Sequence, residues 1–473
     1  MKLLHSTFFI FAFPFSDREA EKQTCNIPYL MSSSDGEETT LLPSPQPIAS
    51  FKRWIVLASF SLLTMTNSWM WITWSPIENA VAQRWNVTDS SVDGLSMVFM
   101  YLYIPLSFPA LYLLQKIGMR NGLIIGAIIN SIGAAVRWQG VDNYTTIYVG
   151  TLLCSAAQTF TLAIPPLLSH AWFPSSERAL ATSIGVLANQ LGTCLGLGAT
   201  LIVDLSNESG NIKAYLGVQC LTAVIANVLV VVFVTNGNQK EIPVDLNHTN
   251  EENDQNNNEN NENNTSYINS LRKVLCVRNG IVLNIMYCLV VGVFYAIATF
   301  LSQLLPLWRV NDPKQQQVGL LGITLVVGGV LGSISTGKLL DKKIYTFHQL
   351  TTRLLMACTL SFLVFTTVIN LSSSFHLGVF LVTGIIGFFL TAIVSVGMEY
   401  GTVLASGINE GIVAGIYNVS AQAGGVILVL IGGFVLGDEN GTKKTILTLN
   451  LTLSGVLLIA GILYVVGFDR LQK

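Results

Sequence analysis

Apolar runs of roughly 20 residues recur from one end of the chain to the other, and each is long enough to cross a hydrocarbon core of ~30 Å. Twelve can be marked, near Trp54–Pro76, Gly94–Leu114, Gly122–Trp138, Ile147–Trp172, Ala179–Val203 and Ala214–Thr235, then near Ile281–Leu305, Val318–Leu340, Leu350–Ile369, Leu377–Tyr400, Gly411–Leu436 and Ile446–Val466. In lipid a backbone must satisfy its own hydrogen bonds, so such runs fold as helices. Charged residues make up 11% of the 473, far below the ~25% of a soluble domain. Mean hydropathy is +0.55. A soluble enzyme, a secreted disulfide scaffold and a nucleic-acid binder are all excluded. The net charge of −2 leaves no basic footprint for DNA or RNA. The seven cysteines show no C-x-x-C pair, and Cys154, Cys194 and Cys288 lie inside apolar runs as packing residues.

A polar stretch splits the runs into six and six. It carries an Asn/Glu tract from Asn247 to Asn264 and reads as a disordered linker. The expected organisation is a cytosolic tail (1–50), a first six-helix bundle (51–236), the linker (237–272), a second bundle (273–468) and a short tail (469–473). Basic residues orient the chain. With both termini cytosolic, Lys52, Arg53, Lys116, Arg120, Arg178, Lys338, Lys342 and Lys343 fall inside. The smaller outer set includes Arg84, Arg137, Lys213 and Arg309. The sequons at Asn86, Asn143, Asn207, Asn370 and Asn440 fall in loops that this topology places outside, as candidate glycosylation sites. Sequons at Asn247, Asn263 and Asn264 fall inside, where an Asn tract makes them by chance.

Residues 1–30 read as an uninformative extension. Leu3–Phe15 has the look of a signal-peptide core, too short to span, and Met31 opens a polar segment that would make a natural start. In that segment Glu37-Glu38-Thr39-Thr40-Leu41-Leu42 has the form of an acidic dileucine sorting signal. Clathrin adaptors read such a signal in a flexible cytosolic tail, which points to lysosome or endosome.

The halves echo one another. Gly337-Lys-Leu-Leu-Asp341-Lys-Lys answers Leu114-Gln-Lys-Ile-Gly118-Met-Arg120 between the second and third runs of each half. Glycine there permits close approach and a tight turn, and Asp341 can cap a helix or pair with a base. Both segments resemble the G-x-L-x-D-[RK] loop of the major facilitator superfamily. The first copy has Gln115 where that family has Asp, so its gate would lean on Lys116 and Arg120. Gln190-Leu-Gly192 follows Glu177-Arg178 at nearly the spacing at which Gln422-Ala-Gly424 follows Glu410. Two amides at equivalent depth suit a pseudo-two-fold binding site, or else serve as helix glue.

In the first run Asn67, Trp71, Trp74 and Glu78 fall at i, i+4, i+7 and i+11, one face of a continuous helix. Two indoles between an amide and an acid suit a cavity wall that stacks a planar or cationic solute. For Trp74 the rival reading is an interfacial anchor. Tyr295 in the seventh run could face Trp71. Glu399, near the inner end of the tenth, is the most buried-looking acid: if buried it is, with Glu78, a proton-coupling candidate, and otherwise a helix-end acid paired with a cytosolic base. His170 reads as interfacial. Nothing matches an ATP-binding loop, a nucleophile elbow or H-E-x-x-H, so no enzyme, metal or cofactor is expected and a gradient must drive transport.

Asn67-Ser-Trp-Met-Trp71-Ile-Thr-Trp74-Ser-Pro76-Ile-Glu-Asn79 resembles the first helix of solute carrier family 49, as do Trp172-Phe-Pro-Ser-Ser-Glu177-Arg178-Ala, Ala188-Asn-Gln190-Leu-Gly192-Thr and the stretch from Met398-Glu399-Tyr400 to Gln422. The resemblance spans about residues 50–470. It implies the major facilitator fold, all-α, with two six-helix bundles rocking about a shared hollow. Trp71, Gln190, Tyr295 and Gln422 match pocket positions of the feline leukaemia virus subgroup C receptor branch, which handles choline, ethanolamine or haem. The Trp-x-Thr-Trp-x-Pro run and the dileucine tail look like the family's lysosomal branch, associated with proton-dependent pyridoxine movement. The expectation is a lysosomal transporter with pyridoxine as first choice and Trp71, Trp74, Gln190, Tyr295 and Gln422 as its binding set. The alternatives are a choline, ethanolamine or haem transporter, at the plasma membrane in one reading, and a non-transporting receptor or scaffold.

Overall fold

A computed structural model describes residues 51–174, 177–202, 210–235, 271–272, 274, 278–301, 303, 315–341, 344–371, 376–405, 408, 410–437 and 443–469. Both tails, the dileucine segment (Glu37, Leu41, Leu42), Asn207, Asn440 and nearly all of the expected linker lie outside them. The regular elements among the described residues are helices. The first half holds α1 (Lys52–Trp71), a 3-10 turn (Ser75–Ile77), α2 (Glu78–Trp85), α3 (Asp89–Gln139), α4 (Tyr144–Gln158), α5 (Ile164–Trp172), α6 (Arg178–Leu197), α7 (Ala199–Ile202) and α8 (Gly210–Phe233). The second holds α9 (Arg278–Thr299), α10 (Gln315–Asp341), α11 (Phe347–Leu371), α12 (His376–Leu404), α13 (Glu410–Leu436) and α14 (Lys443–Asp469).

Among the described residues 10 segments are long and apolar enough to cross a membrane. One of them, α3, has 51 residues. At 1.5 Å per residue it would measure roughly 75 Å, more than two bilayer cores. It is broken at Gly118, whose φ of 82° and ψ of 161° only glycine adopts without strain. This is the tight turn expected of that loop, and it makes α3 two crossings. The α4 and α5 pair, parted by a turn at Thr159–Ala163, makes one more. Counted in this way, the described residues hold twelve crossings, one for each apolar run.

The helix pairings repeat between the halves. In the first, α1 packs on α6 and the Asp89 limb of α3 lies with α4; in the second, α9 packs on α13 and α10 on α12. Small residues make these contacts close. A Cβ on Gly328, Gly332 or Gly387 would collide with the backbone of the facing helix in the α10–α12 pair. Such seams replace the hydrophobic drive that lipid does not supply between helices. Gly337 differs from expectation: it lies inside α10, and a Cβ there would meet nothing within 4 Å, so it supports neither a turn nor a close approach. The halves join where α13 meets α3 and α5, and where α10 meets α6 and α7.

Gly332→Leu drives a side chain into the Phe388 backbone. It should cost at least the roughly 1–3 kcal/mol of core overpacking and reduce the monodisperse fraction in detergent gel filtration. Gly455→Leu on α14, where nothing lies within 4 Å, should leave that fraction unchanged.

Candidate functional site

The first crossing does not run through as one helix. At Ile72 the backbone leaves helical geometry (φ −104°, ψ 12°), and Pro76 sits inside the 3-10 turn that follows. A helix end leaves carbonyls without partners, and inside a membrane water does not supply them. Here side chains do. Thr73 Oγ1 donates to Trp69 O at 2.8 Å, Arg137 Nη1 to Met70 O at 3.1 Å and Ser96 Oγ to Trp71 O at 3.3 Å. The fourth crossing breaks likewise between α4 and α5, ahead of Pro165 and Pro166, and Asn418 Nδ2 from the second half donates to Leu162 O at 3.4 Å. Interrupted membrane helices commonly mark transporter binding sites.

Trp71 is the last residue of α1 and is 6% exposed. Its ring stands edge-on to Tyr295 of α9, with centroids 5.1 Å apart and planes at 71°. The Tyr295 hydroxyl accepts from Gln422 Nε2 of α13 at 3.3 Å. Beside Gln422 on α13, Gly425 abuts both Tyr295 and Met100 of α3. One indole from the first half thus meets a phenol and an amide from the second. The Trp71 Nε1 proton is buried and finds no acceptor among the described residues.

The Gln-x-Gly echo has a structural sense. Gly192 seats α6 against Met65 of α1, and Gly424 seats α13 against Cys288 of α9, its counterpart in the other half. Gln190 is half-buried. It lies seven residues before Leu197, on the same face of α6, and Leu197 packs on Gly322 of α10. That face looks into the seam between the halves. Gln190 and Gln422 therefore occupy equivalent positions on equivalent helices.

The four-residue stripe of the first run is not one face, because the helix ends at Trp71. Asn67 turns into the first half, where Nδ2 donates to Asn130 Oδ1 at 2.9 Å and to Cys154 O at 2.8 Å. Trp74 is fully buried in a separate apolar cluster, edge-on to Trp85 at 5.1 Å and beneath the Arg137 guanidinium. It does not join Trp71. Glu78 lies where the halves meet: Gln303 Nε2 donates to Glu78 Oε1 at 2.6 Å and to Asp93 Oδ2 at 3.2 Å. Nearby, Ser75 Oγ lies 2.8 Å from both Ala298 O and Thr299 O.

Glu399 is exposed near the end of α12, which favours the helix-end reading over a buried proton carrier. Arg120 Nε donates to Val234 O at 2.8 Å, closing the carboxyl end of α8 within its own half. Lys116 is exposed. Asp341 ends α10, but its side chain, like those of His170 and Asn370, lies outside the described set. Asn86 is exposed, in the left-handed conformation that ends α2, with φ 52°. Asn143 is exposed and caps α4, accepting from the Thr145 and Thr146 amides.

Sequence reading missed Asp93, Gln303, Met100 and Arg137. Asp93 precedes an apolar run and reads as a loop acid; Arg137 closes one and reads as an outer-loop base. Both are buried. A lone charge at the edge of an apolar run was the available signal, and run boundaries are too loose to read it.

The chain matches the family model described as Major Facilitator Superfamily over residues 55–429. It is 33% identical over 419 residues to "Choline/ethanolamine transporter flvcr2a" of Danio rerio, a match covering 87% of this chain and 85% of that one. It is 30% identical over 401 residues to "Choline/ethanolamine transporter FLVCR2" of Homo sapiens, covering 83% and 74%. Among solved structures, it superposes on a bacterial homolog of the human lysosomal transporter Spinster, in an inward-facing and unoccupied conformation. The TM-score is 0.61 at 10% identity, covering 89% of this chain and 97% of that one.

The position of Asn67 separates packing from recognition. Asn67→Ala takes the donor from the buried Asn130 Oδ1 and should cost about 1–3 kcal/mol of stability, seen as a lower melting temperature in detergent. Solute uptake per folded molecule should stay at the wild-type level.

Proposed function

Since the chain belongs to the Major Facilitator Superfamily and, within it, to solute carrier family 49, we propose that this multi-pass membrane transporter carries a small hydroxylated amine, choline or ethanolamine, by alternating access. The observation that supports the reading best is the Trp71–Tyr295–Gln422 corner, built from both halves. An indole face attracts an ammonium group by about 0.5–2 kcal/mol, with the higher values in desolvated sites. The ring also shields the methyl groups of choline from water. The Gln422 amide and the unpartnered Trp71 Nε1 proton supply polar partners for the alcohol oxygen. A solute held by both halves couples its own binding to their relative position.

Pyridoxine, the first choice from sequence, now ranks second. The relatives above carry choline and ethanolamine in their names, and none is named for pyridoxine, haem or proton coupling. Pyridoxine would stack on Trp71 without a permanent cation, so the two solutes make different demands on the ring. Lysosomal delivery through Glu37, Leu41 and Leu42 stands as part of the proposal. A Leu41→Ala, Leu42→Ala form should move the protein to the cell surface, where uptake is measurable.

In that form, tracer choline uptake should fall at least about tenfold in Trp71→Ala, which loses the cation–π contact and its desolvated wall. Tyr295→Phe keeps the ring but loses the hydroxyl, and should fall only a few-fold, the size of one neutral hydrogen bond. Uptake is normalised to surface protein. Choline uptake that survives Trp71→Ala, or uptake confined to pyridoxine, removes this reading.

A further inference from the structure

Arg137, near the end of α3, is 1% exposed. A buried guanidinium ordinarily pairs with a carboxylate. The two ion pairs found among the described residues, Arg53–Glu177 and Arg84–Asp142, do not involve it. Its Nη1 donates to Met70 O at 3.1 Å, and its carbon lies 5.1 Å from the centroid of the Trp74 ring. Among the described residues Nε and Nη2 find no hydrogen-bond partner. The stem lies against Gly150 of α4, where a Cβ would strike it.

Besides the Cys154 thiol and the Tyr215 hydroxyl, two features favour a positive charge there: the carboxyl end of α1, the negative pole of its dipole, and an aromatic face. Both belong to one short segment. Met70 comes immediately before Trp71, and Trp74 comes three residues after it, beyond the break. Arg137 therefore grips the chain on either side of Trp71. Thr73 and Ser96 occupy the neighbouring carbonyls, Trp69 O and Trp71 O. Only the Met70 carbonyl of the three takes a charged donor.

We propose that Arg137 is the positioning residue for Trp71: it fixes where α1 stops and so where the indole stands, without touching the solute. The transport consequence rests on the choline and ethanolamine reading above; the structural consequence does not.

The test uses the full chain labelled with 5-fluorotryptophan at its 8 tryptophans, with the Trp71 fluorine signal identified by Trp71→Phe. Arg137→Gln should shift or broaden the Trp71 and Trp74 signals and leave that of Trp54, at the far end of α1, in place. Arg137→Lys, which keeps the charge but not the planar fork, should shift them less. In surface uptake, Arg137→Gln should raise the choline KM about tenfold, the size of one charge-assisted hydrogen bond. Arg137→Lys should recover part of that, and Arg137→Gln should add nothing further in a Trp71→Ala background. A Trp71 signal unmoved by Arg137→Gln overturns the inference, as do effects of the two substitutions that simply multiply. Should Arg137→Gln not fold, Trp74→Leu removes the aromatic face from the same guanidinium, and an unmoved Trp71 signal there overturns it equally. If Trp71→Ala leaves the choline KM unchanged while Arg137→Gln still moves the Trp71 signal, the functional reading fails and the positioning role stands.

Discussion

A backbone carbonyl inside a membrane must find a donor within the protein. Most of this chain meets that demand by staying helical. Where the first crossing breaks, it meets the demand with three side chains, from Thr73, Ser96 and Arg137, on three successive carbonyls. The break is what allows Trp71 to end a helix in the interior and face Tyr295. Had α1 continued through Trp74, the indoles would lie along one stripe and the 3-10 turn that carries Ser75 to α9 would not form. The donors therefore do more than tidy a helix end. They determine which tryptophan reaches the seam and which is buried behind it.

The second organising feature is the repeat. The pairs α1–α6 and α9–α13 are counterparts, and so are the two largest contacts that join the halves, α13 with α3 and α10 with α6. Gly192 and Gly424 make the same kind of seat in each half, which places Gln190 and Gln422 alike two residues earlier. The aromatic complement is not repeated in this way. Trp71 ends α1 at a break, whereas Tyr295 lies inside the unbroken α9. A near-symmetric frame thus carries an asymmetric pair of rings. That suits a solute with one cationic end and one hydroxyl end.

The twelve crossings were legible because hydropathy and length alone decide them. The turn at Gly118 was legible because its backbone conformation admits little but glycine. The Gln-x-Gly pair was legible because seating a helix and facing a seam both leave fixed spacings. The stripe through Asn67, Trp71, Trp74 and Glu78 misled, because the period assumes a helix that Ile72 and Pro76 interrupt. Pro76 was the visible warning: it lacks an amide proton and constrains the residue before it. Glu399 stayed open between two readings for another reason. Depth in a span does not say which side of the helix a residue is on, and α12 turns this acid outward. Asp93 and Arg137 were missed because a charge at the edge of an apolar run reads as loop until its neighbours are known.

The contacts within each half and those between halves differ in kind, and the difference bears on the proposed rocking. Within a half, glycines bring backbone onto backbone along α10–α12, α1–α6 and α9–α13. These seams cannot slide without collision, since packed interfaces are bistable rather than continuously deformable. Between halves, Ser75 reaches carbonyls at the end of α9, and Gln303 reaches Glu78 and Asp93. Elsewhere the flexible side chains Leu111 and Leu167 lie against Gly415 and Gly411 of α13. Single hydrogen bonds to hydroxyl, amide and carboxylate groups exchange readily for bonds to water, at a net difference of only about 0.5–1.5 kcal/mol each for neutral groups. A leucine resting on a glycine can withdraw without deforming either helix. The parts that must stay rigid are joined by geometry, and the parts that must separate are joined by contacts that water can replace. Trp71, Tyr295 and Gln422 lie on the boundary between these two kinds of contact, where a bound solute can favour one arrangement of the halves over another.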